Sequence, residues 1–200
     1  MQWREKYLMF DRITAFVIGI PLLIVIEIIR WIKFKIDNRK FIYIREFLII
    51  LLSIYIMALV SVTLLPFNFY GSKSPEANLI PVFNTLKDIS NIPQNMKGFM
   101  IKFWLVNIFG NLLLLTPLAV IVPLAFKGFR SFKATVLLGF MVTLSIEVIQ
   151  YLSAFLGNAR SFDIDDIILN TSGAAIGFCF YKFIIKRFIQ IKEAGMLPHF

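Results

Sequence analysis

The chain has 200 residues, a formal net charge of +9, 58% apolar and 16% aromatic residues, and a mean hydropathy of +0.78. Soluble domains hold about 45–50% apolar residues with glycine counted, so this composition excludes an ordinary soluble domain. A single cysteine, Cys179, and a single histidine, His199, exclude an intrachain disulfide, a cysteine-based zinc site and a histidine-based triad.

Apolar runs fall at about 12–32, 43–65, 103–126, 131–153 and 165–188. Each is long enough to cross a bilayer core, which takes about 20 residues. The expected fold is therefore all-α: a polytopic transmembrane helical bundle of about five spans in a single domain, 1–200. The first run does not read as a cleaved signal peptide. It is too long, it contains Glu27 and Arg30, and no small-x-small cleavage site follows. Glu27 and Arg30, three residues apart, fit local pairing and snorkelling toward the interface.

The 66–102 segment between the second and third runs holds Pro66, Pro75, Pro81 and Pro93 among five asparagines: Asn68, Asn78, Asn84, Asn91 and Asn95. Such punctuation breaks regular structure. Yet apolar pieces such as Leu79-Ile80-Pro81-Val82-Phe83 argue against disorder. The segment is expected to be a long outer-face loop lying on or dipping into the membrane surface. In the third run, Pro117 and Pro123 predict a kink.

Basic residues set the orientation. Lys33, Lys35, Arg39, Lys40 and Arg45 follow the first run, Lys127, Arg130 and Lys133 follow the third, and Lys182, Lys186, Arg187 and Lys192 follow or end the fifth. A five-span chain puts these groups on one side, read as cytoplasmic, so the N-terminus is outside and the C-terminus is cytoplasmic. Arg4, Lys6, Arg12, Lys73, Lys87, Lys97 and Lys102 dilute that bias. Topology and anionic lipid account for the positive charge. No aromatic–basic pattern points to nucleic acid.

The polar residues then gather toward the outer face. Asn107 and Asn111 are spaced i, i+4, and Glu147 and Gln150 i, i+3. Arg160 stands in a short loop, and Asp163, Asp166, Asn170, Gly173 and Gly177 share one face of the last helix. Each has a structural reading and a functional one. Asp163 or Asp165 can cap the last helix, and Gly173 and Gly177 can admit a close helix. Glu147 or a local aspartate can pair with Arg160, and the asparagines can bond between helices. Alternatively, Arg160, Asn170, Asn107, Asn111 and Gln150 bind a ligand, Arg160 suiting carboxylate or phosphate. Glu147, Asp163 and Asp166 are the candidate catalytic groups, Glu147 as an acid or base. No metal or other cofactor is expected; the alternative is Mg²⁺ or Mn²⁺ at Asp163 and Asp166. Lys87 and Asp88 read as solvated loop charges. The sequon Asn170-Thr171-Ser172 falls within or beside the membrane and is discounted.

These pieces carry a family resemblance. Leu64-Leu65-Pro66-Phe67, Asn78-Leu79-Ile80-Pro81, the run from Asn107 through Asn111 and Thr116-Pro117 to Leu118, Glu147-Val148-Ile149-Gln150, Arg160-Ser161-Phe162-Asp163-Ile164-Asp165-Asp166, and Asn170-Thr171-Ser172-Gly173-Ala174-Ala175-Ile176-Gly177 recur in that order. Over roughly residues 60–180 the chain resembles the VanZ-like family of bacterial membrane proteins. It departs from the family's pattern at Val82 and at Ala119. The resemblance implies a bacterial cell-membrane protein linked to resistance against lipid-bearing glycopeptides, above all teicoplanin. The expected partners are the bilayer and a lipid-linked peptidoglycan precursor or the lipoglycopeptide itself. Engagement of such a ligand at the outer leaflet is the leading reading. A carboxylate- or metal-dependent enzyme acting on a lipid-linked wall precursor is the alternative. A transporter is disfavoured because no internal repeat is evident.

Overall fold

A computed structural model describes residues 10–37, 42–67, 76–80, 96–156, 158 and 160–193. The helices are α1 (Thr14–Ile36), α2 (Tyr43–Thr63), α3 (Lys97–Leu114), α4 (Thr116–Ala125), α5 (Phe132–Ala154) and α6 (Ile164–Glu193). Two three-residue strands, β1 (Glu76–Asn78) and β2 (Ser161–Asp163), and a 3-10 turn at Lys127–Phe129 complete the order. Among the described residues, five helical stretches are long and apolar enough to cross a membrane: Thr14–Ile36, Tyr43–Thr63, Lys97–Ala125, Phe132–Ala154 and Ile164–Ile185. The chain is a multi-pass, all-α membrane protein, as its hydropathy predicts. Most of the 66–102 loop lies outside the described residues, including Asn68, Lys73, Pro75, Pro81, Asn84, Lys87, Asp88, Asn91, Pro93 and Asn95, as do Arg4, Lys6, Arg39, Lys40 and His199.

The third span begins at Lys97, earlier than hydropathy suggests, and breaks at Leu115 between α3 and α4. Thr116-Pro117 explains the break. Proline has no N–H to continue the ladder but suits the first turn of a new helix, where it stands here. The Thr116 hydroxyl donates back to the Leu112 carbonyl at 3.1 Å.

The chain divides into two compact units, each discontinuous in sequence. The first takes Met1–Ser90 and Leu144–Asp165. In it α1 packs against α2, with Gly19 facing the Met57 side chain. No residue of α1 is buried, which suits a helix apolar all round and bathed in lipid. A strong polar tie is Arg30, which donates to Glu27 at 2.7 Å and also pairs with Glu46 of α2. Glu27 pairs with Arg30 as expected from the spacing; Glu46, 7% exposed, is an unforeseen third member.

The second unit takes Asn91–Thr143 and Asp166–Phe200. Its packing is tight at small residues. A Cβ on Gly173 would lie 1.9 Å from the Leu112 carbonyl oxygen, and one on Gly177 would lie 2.4 Å from that of Thr116. Ala174 sits against Gly139, and Phe178 makes edge contacts with Phe132. The Gly173-x-x-x-Gly177 stripe thus lets α6 approach the backbone at the α3–α4 break.

Candidate functional site

In the first unit, the polar side chains mostly hold main chain. The parallel pair β1–β2 aligns Glu76 with Ser161, Ala77 with Phe162 and Asn78 with Asp163. Strands this short need outside support, and two side chains give it. The Glu147 carboxylate accepts the backbone N–H of Asp163 at 2.9 Å, and the Asn78 amide donates to Asp163 Oδ1 at 3.1 Å. Asp163 Oδ1 also accepts the Asp165 N–H at 2.9 Å, so Asp163 is the N-cap of α6, one of the two roles its position allowed. Glu147 is 2% exposed and is engaged at the strand, where desolvation makes an unpaired carboxylate costly. Gln150, one turn on, donates to the Thr63 carbonyl at 2.7 Å and fastens α5 to the end of α2.

Arg160 departs from expectation. Among the described residues no aspartate or glutamate lies within ion-pair distance of it. Its guanidinium donates to the Leu65 carbonyl at 3.3 Å. Partial burial pushes its pKa below the ordinary arginine value, the Arg12 charge pushes the same way, and Glu147 opposes both. Glu147 thus supports the Arg160 charge through its field and binds the strand with its oxygen. The turn below Arg160 is fixed by Asn158, whose carbonyl accepts the Arg160 N–H at 2.8 Å and whose own N–H donates to the Ser153 carbonyl.

In the second unit, side chains bond to one another as well as to main chain. The Asn111 amide nitrogen donates to Asn107 Oδ1 at 2.9 Å and to Asp166 Oδ1, so its two protons serve both acceptors. Asn107 is exposed; Asn111 and Asp166 are half-buried. Deeper, the Asn170 amide donates to the Thr143 hydroxyl at 3.0 Å, and Thr116 Oγ1 lies 3.1 Å from the Gly173 carbonyl. Asn170 is 2% exposed, yet among the described residues its Oδ1 has no partner, and neither has the buried Thr171 hydroxyl. An unsatisfied buried acceptor is costly and calls for a donor from water or ligand.

The contacts therefore sort the expected residues. Glu147, Gln150, Arg160 and Asp163 belong to the first unit's network; Asn107, Asn111, Asp166 and Asn170 belong to the second's. Sequence reasoning named Thr116 only as part of a family motif and gave no site role to Thr63, Thr143 or Arg12. The threonines give no signal among apolar residues, whereas Arg12, just ahead of an apolar run, could have been flagged as an interfacial cation. Among the described residues no three of histidine, cysteine, aspartate and glutamate gather as a metal ion would require.

Within these networks the separate motifs meet. Leu65, Asn78, Glu147 and Arg160 come from four of them, and Asn111, Thr116 and Gly173 from two more. A model of the VanZ/LLP1 family matches residues 52–186, which is more than half of the chain, and the chain belongs to that family. No curated protein and no solved structure matches it.

Proposed function

We propose that this VanZ/LLP1 family member acts in the bacterial cell membrane by binding an anionic or amide-rich headgroup at the outer leaflet. The headgroup belongs to a lipid-linked wall precursor or to a lipoglycopeptide such as teicoplanin. The observation that carries the reading is Arg160: a half-buried guanidinium, held by the Leu65 carbonyl, with no ion-pair partner among the described residues. Such a group is positioned yet still has N–H donors to offer a phosphate or carboxylate. The second unit holds polar groups of its own: Asn107, Asn111 and Asp166 bond together, and the buried Asn170 oxygen has no partner among the described residues. The positive-inside pattern supports an outside N-terminus, an outside 154–164 loop and a cytoplasmic C-terminus.

Binding is favoured over catalysis because the candidate carboxylates have structural engagements. Glu147 and Asp163 hold backbone N–H groups.

The test is susceptibility to teicoplanin and vancomycin in a Gram-positive host at matched membrane expression. Wild type is expected to protect against teicoplanin, with protection lost in Arg160→Ala and reduced in Asp166→Ala. Wild type without protection ends the resistance assignment. Equal protection by all three ends the role of the polar groups.

A further inference from the structure

Arg12 lies ahead of the stretch that matches the family, and the fold brings it to Arg160. Three sets of contacts in the first unit do this. Phe10 and Phe67 exchange both backbone hydrogen bonds, at 3.2 and 2.9 Å, in an isolated antiparallel bridge. The Ser61 hydroxyl donates to the Arg12 carbonyl at 2.8 Å. Four residues along the chain from Ser61, the Leu65 carbonyl accepts from the Arg160 guanidinium. The backbone of Arg12 and the side chain of Arg160 are thus fastened to one short stretch at the end of α2. The Arg12 charge is felt at Arg160, where it disfavours the protonated form.

Bringing two guanidiniums together is unfavourable unless something negative lies near both. The same unit shows how the fold neutralises an arginine when nothing else will. At the opposite end of the α1–α2 pair, Arg30 meets two carboxylates, Glu27 and Glu46. At the Arg12 end no carboxylate comes within ion-pair distance of either arginine among the described residues. Glu147 acts on Arg160 through its field and not through an ion pair. Arg12 is exposed and Arg160 half-buried, so the pair is open to an incoming group.

We infer that Arg12 and Arg160 form a two-guanidinium clamp for a phosphate group, carried on a lipid at the membrane interface or free in solution. Guanidinium forks match phosphate oxygens in charge and in planar, two-point geometry. A phosphate held between them also removes the repulsion that the empty pair carries. The inference rests on the headgroup-binding reading of Arg160 and adds to it the second cation and the chemical class of the anion.

The test uses the full-length protein in phosphatidylcholine nanodiscs, titrated with dihexanoyl phosphatidic acid and, separately, with inorganic phosphate. Wild type is expected to bind saturably, with affinity falling as salt is raised. Arg12→Gln and Arg160→Gln are each expected to weaken binding about tenfold or more, as loss of a charged hydrogen-bond donor implies, and Arg12→Lys less than Arg12→Gln. Because Arg12 is exposed, its variants should keep the wild-type unfolding midpoint. Tighter binding of the lipid assigns the phosphate to a headgroup and equal binding to a free phosphate; both support the clamp. Arg12→Gln at wild-type affinity overturns it, and if Arg160→Gln is weakened in the same series, the single-arginine headgroup reading survives. Wild type without saturable binding of either probe overturns the phosphate assignment, while the susceptibility assay still decides the headgroup reading.

Discussion

The two units differ in the balance of what their polar groups hold. In the first, side chains reach for main chain: Glu147 for the Asp163 N–H, Gln150 for the Thr63 carbonyl, Arg160 for the Leu65 carbonyl. The result holds non-helical backbone, including β1 and β2, in place. In the second, side chains bond to each other, as in Asn107–Asn111–Asp166 and Asn170–Thr143, beside glycines that let helices touch. Backbone outside a helix must find partners wherever water is scarce, so the first unit needs its polar groups before any ligand arrives. The second unit is mostly helical in its described spans, and fewer polar side chains are needed at its breaks, where Thr135 donates to the Phe129 carbonyl and Arg130 to the Pro123 carbonyl. It is in this unit that the buried Asn170 oxygen has no partner among the described residues.

The sharpest way to break this contrast is at the glycine contact. Gly173→Val would drive side-chain atoms into the Leu112 carbonyl, which is backbone and cannot step aside. Overpacking of this kind costs about 1–3 kcal/mol and sometimes more, and a clash with main chain belongs at about 3 kcal/mol. Unfolding in a mixed-detergent titration should show it. Hydrogen exchange should localise the damage to α3, α4 and α6. A variant as stable as wild type would mean that the close approach contributes nothing.

Glu147→Ala is the matching test of the first unit. It leaves the Asp163 N–H without its acceptor and Arg160 without its supporting field. Stripping a charged acceptor from a buried donor costs about 2–3 kcal/mol. Glu147→Gln keeps an acceptor oxygen and should recover about half of that loss. Exchange at 161–163 should rise while the amides of 170–180 stay protected. Equal loosening of both segments would dissolve the distinction between the networks.

These outcomes bear on what the sequence could reveal. The five spans were legible because membrane crossing demands a long apolar run, and an interruption of the third was legible from Pro117, though Pro123, read with it as a kink, lies within α4. The Asp163 cap and the Gly173–Gly177 contact were among the readings that spacing offered. The strands were not legible. Three residues carry no periodicity, and β2 exists through Glu147 and Asn78, which are distant in sequence from Asp163. Nor was the sorting of the polar residues. Asp163 and Asp166 are spaced for one helical face, but Asp163 ends β2 and caps α6 while Asp166 lies in the helix, and the two serve different units. The same limit hid Arg12, whose proximity to Arg160 depends on the Phe10–Phe67 bridge and the Ser61 hydroxyl.

A smaller effect is expected in the second unit's outer network. Asn111→Leu removes the amide that serves both Asn107 and Asp166. Side-chain hydrogen bonds between membrane helices average about 0.6 kcal/mol, and charged partners raise this, so a loss of about 1–2 kcal/mol is expected. The exchange signature should again stay within that unit. A loss as large as that of Glu147→Ala would show that the side-chain network carries as much structure as the backbone network, against the contrast drawn between them.

The smallest effect falls on the strand pair and separates its two supports. Asn78→Ala removes one donor from Asp163 Oδ1 and leaves the Asp165 N–H and the Glu147 contact in place. Asn78 is half-buried, so water can replace part of what is lost. About 0.5–1 kcal/mol is the expected cost, with faster exchange at 76–78 and little change at Asp165. If Asn78→Ala instead matched Glu147→Ala in size, the strand would depend on Asn78 as a latch and Glu147 would be free of its structural duty. The carboxylate would then become available for acid–base chemistry, and the choice of binding over catalysis would lose its main support.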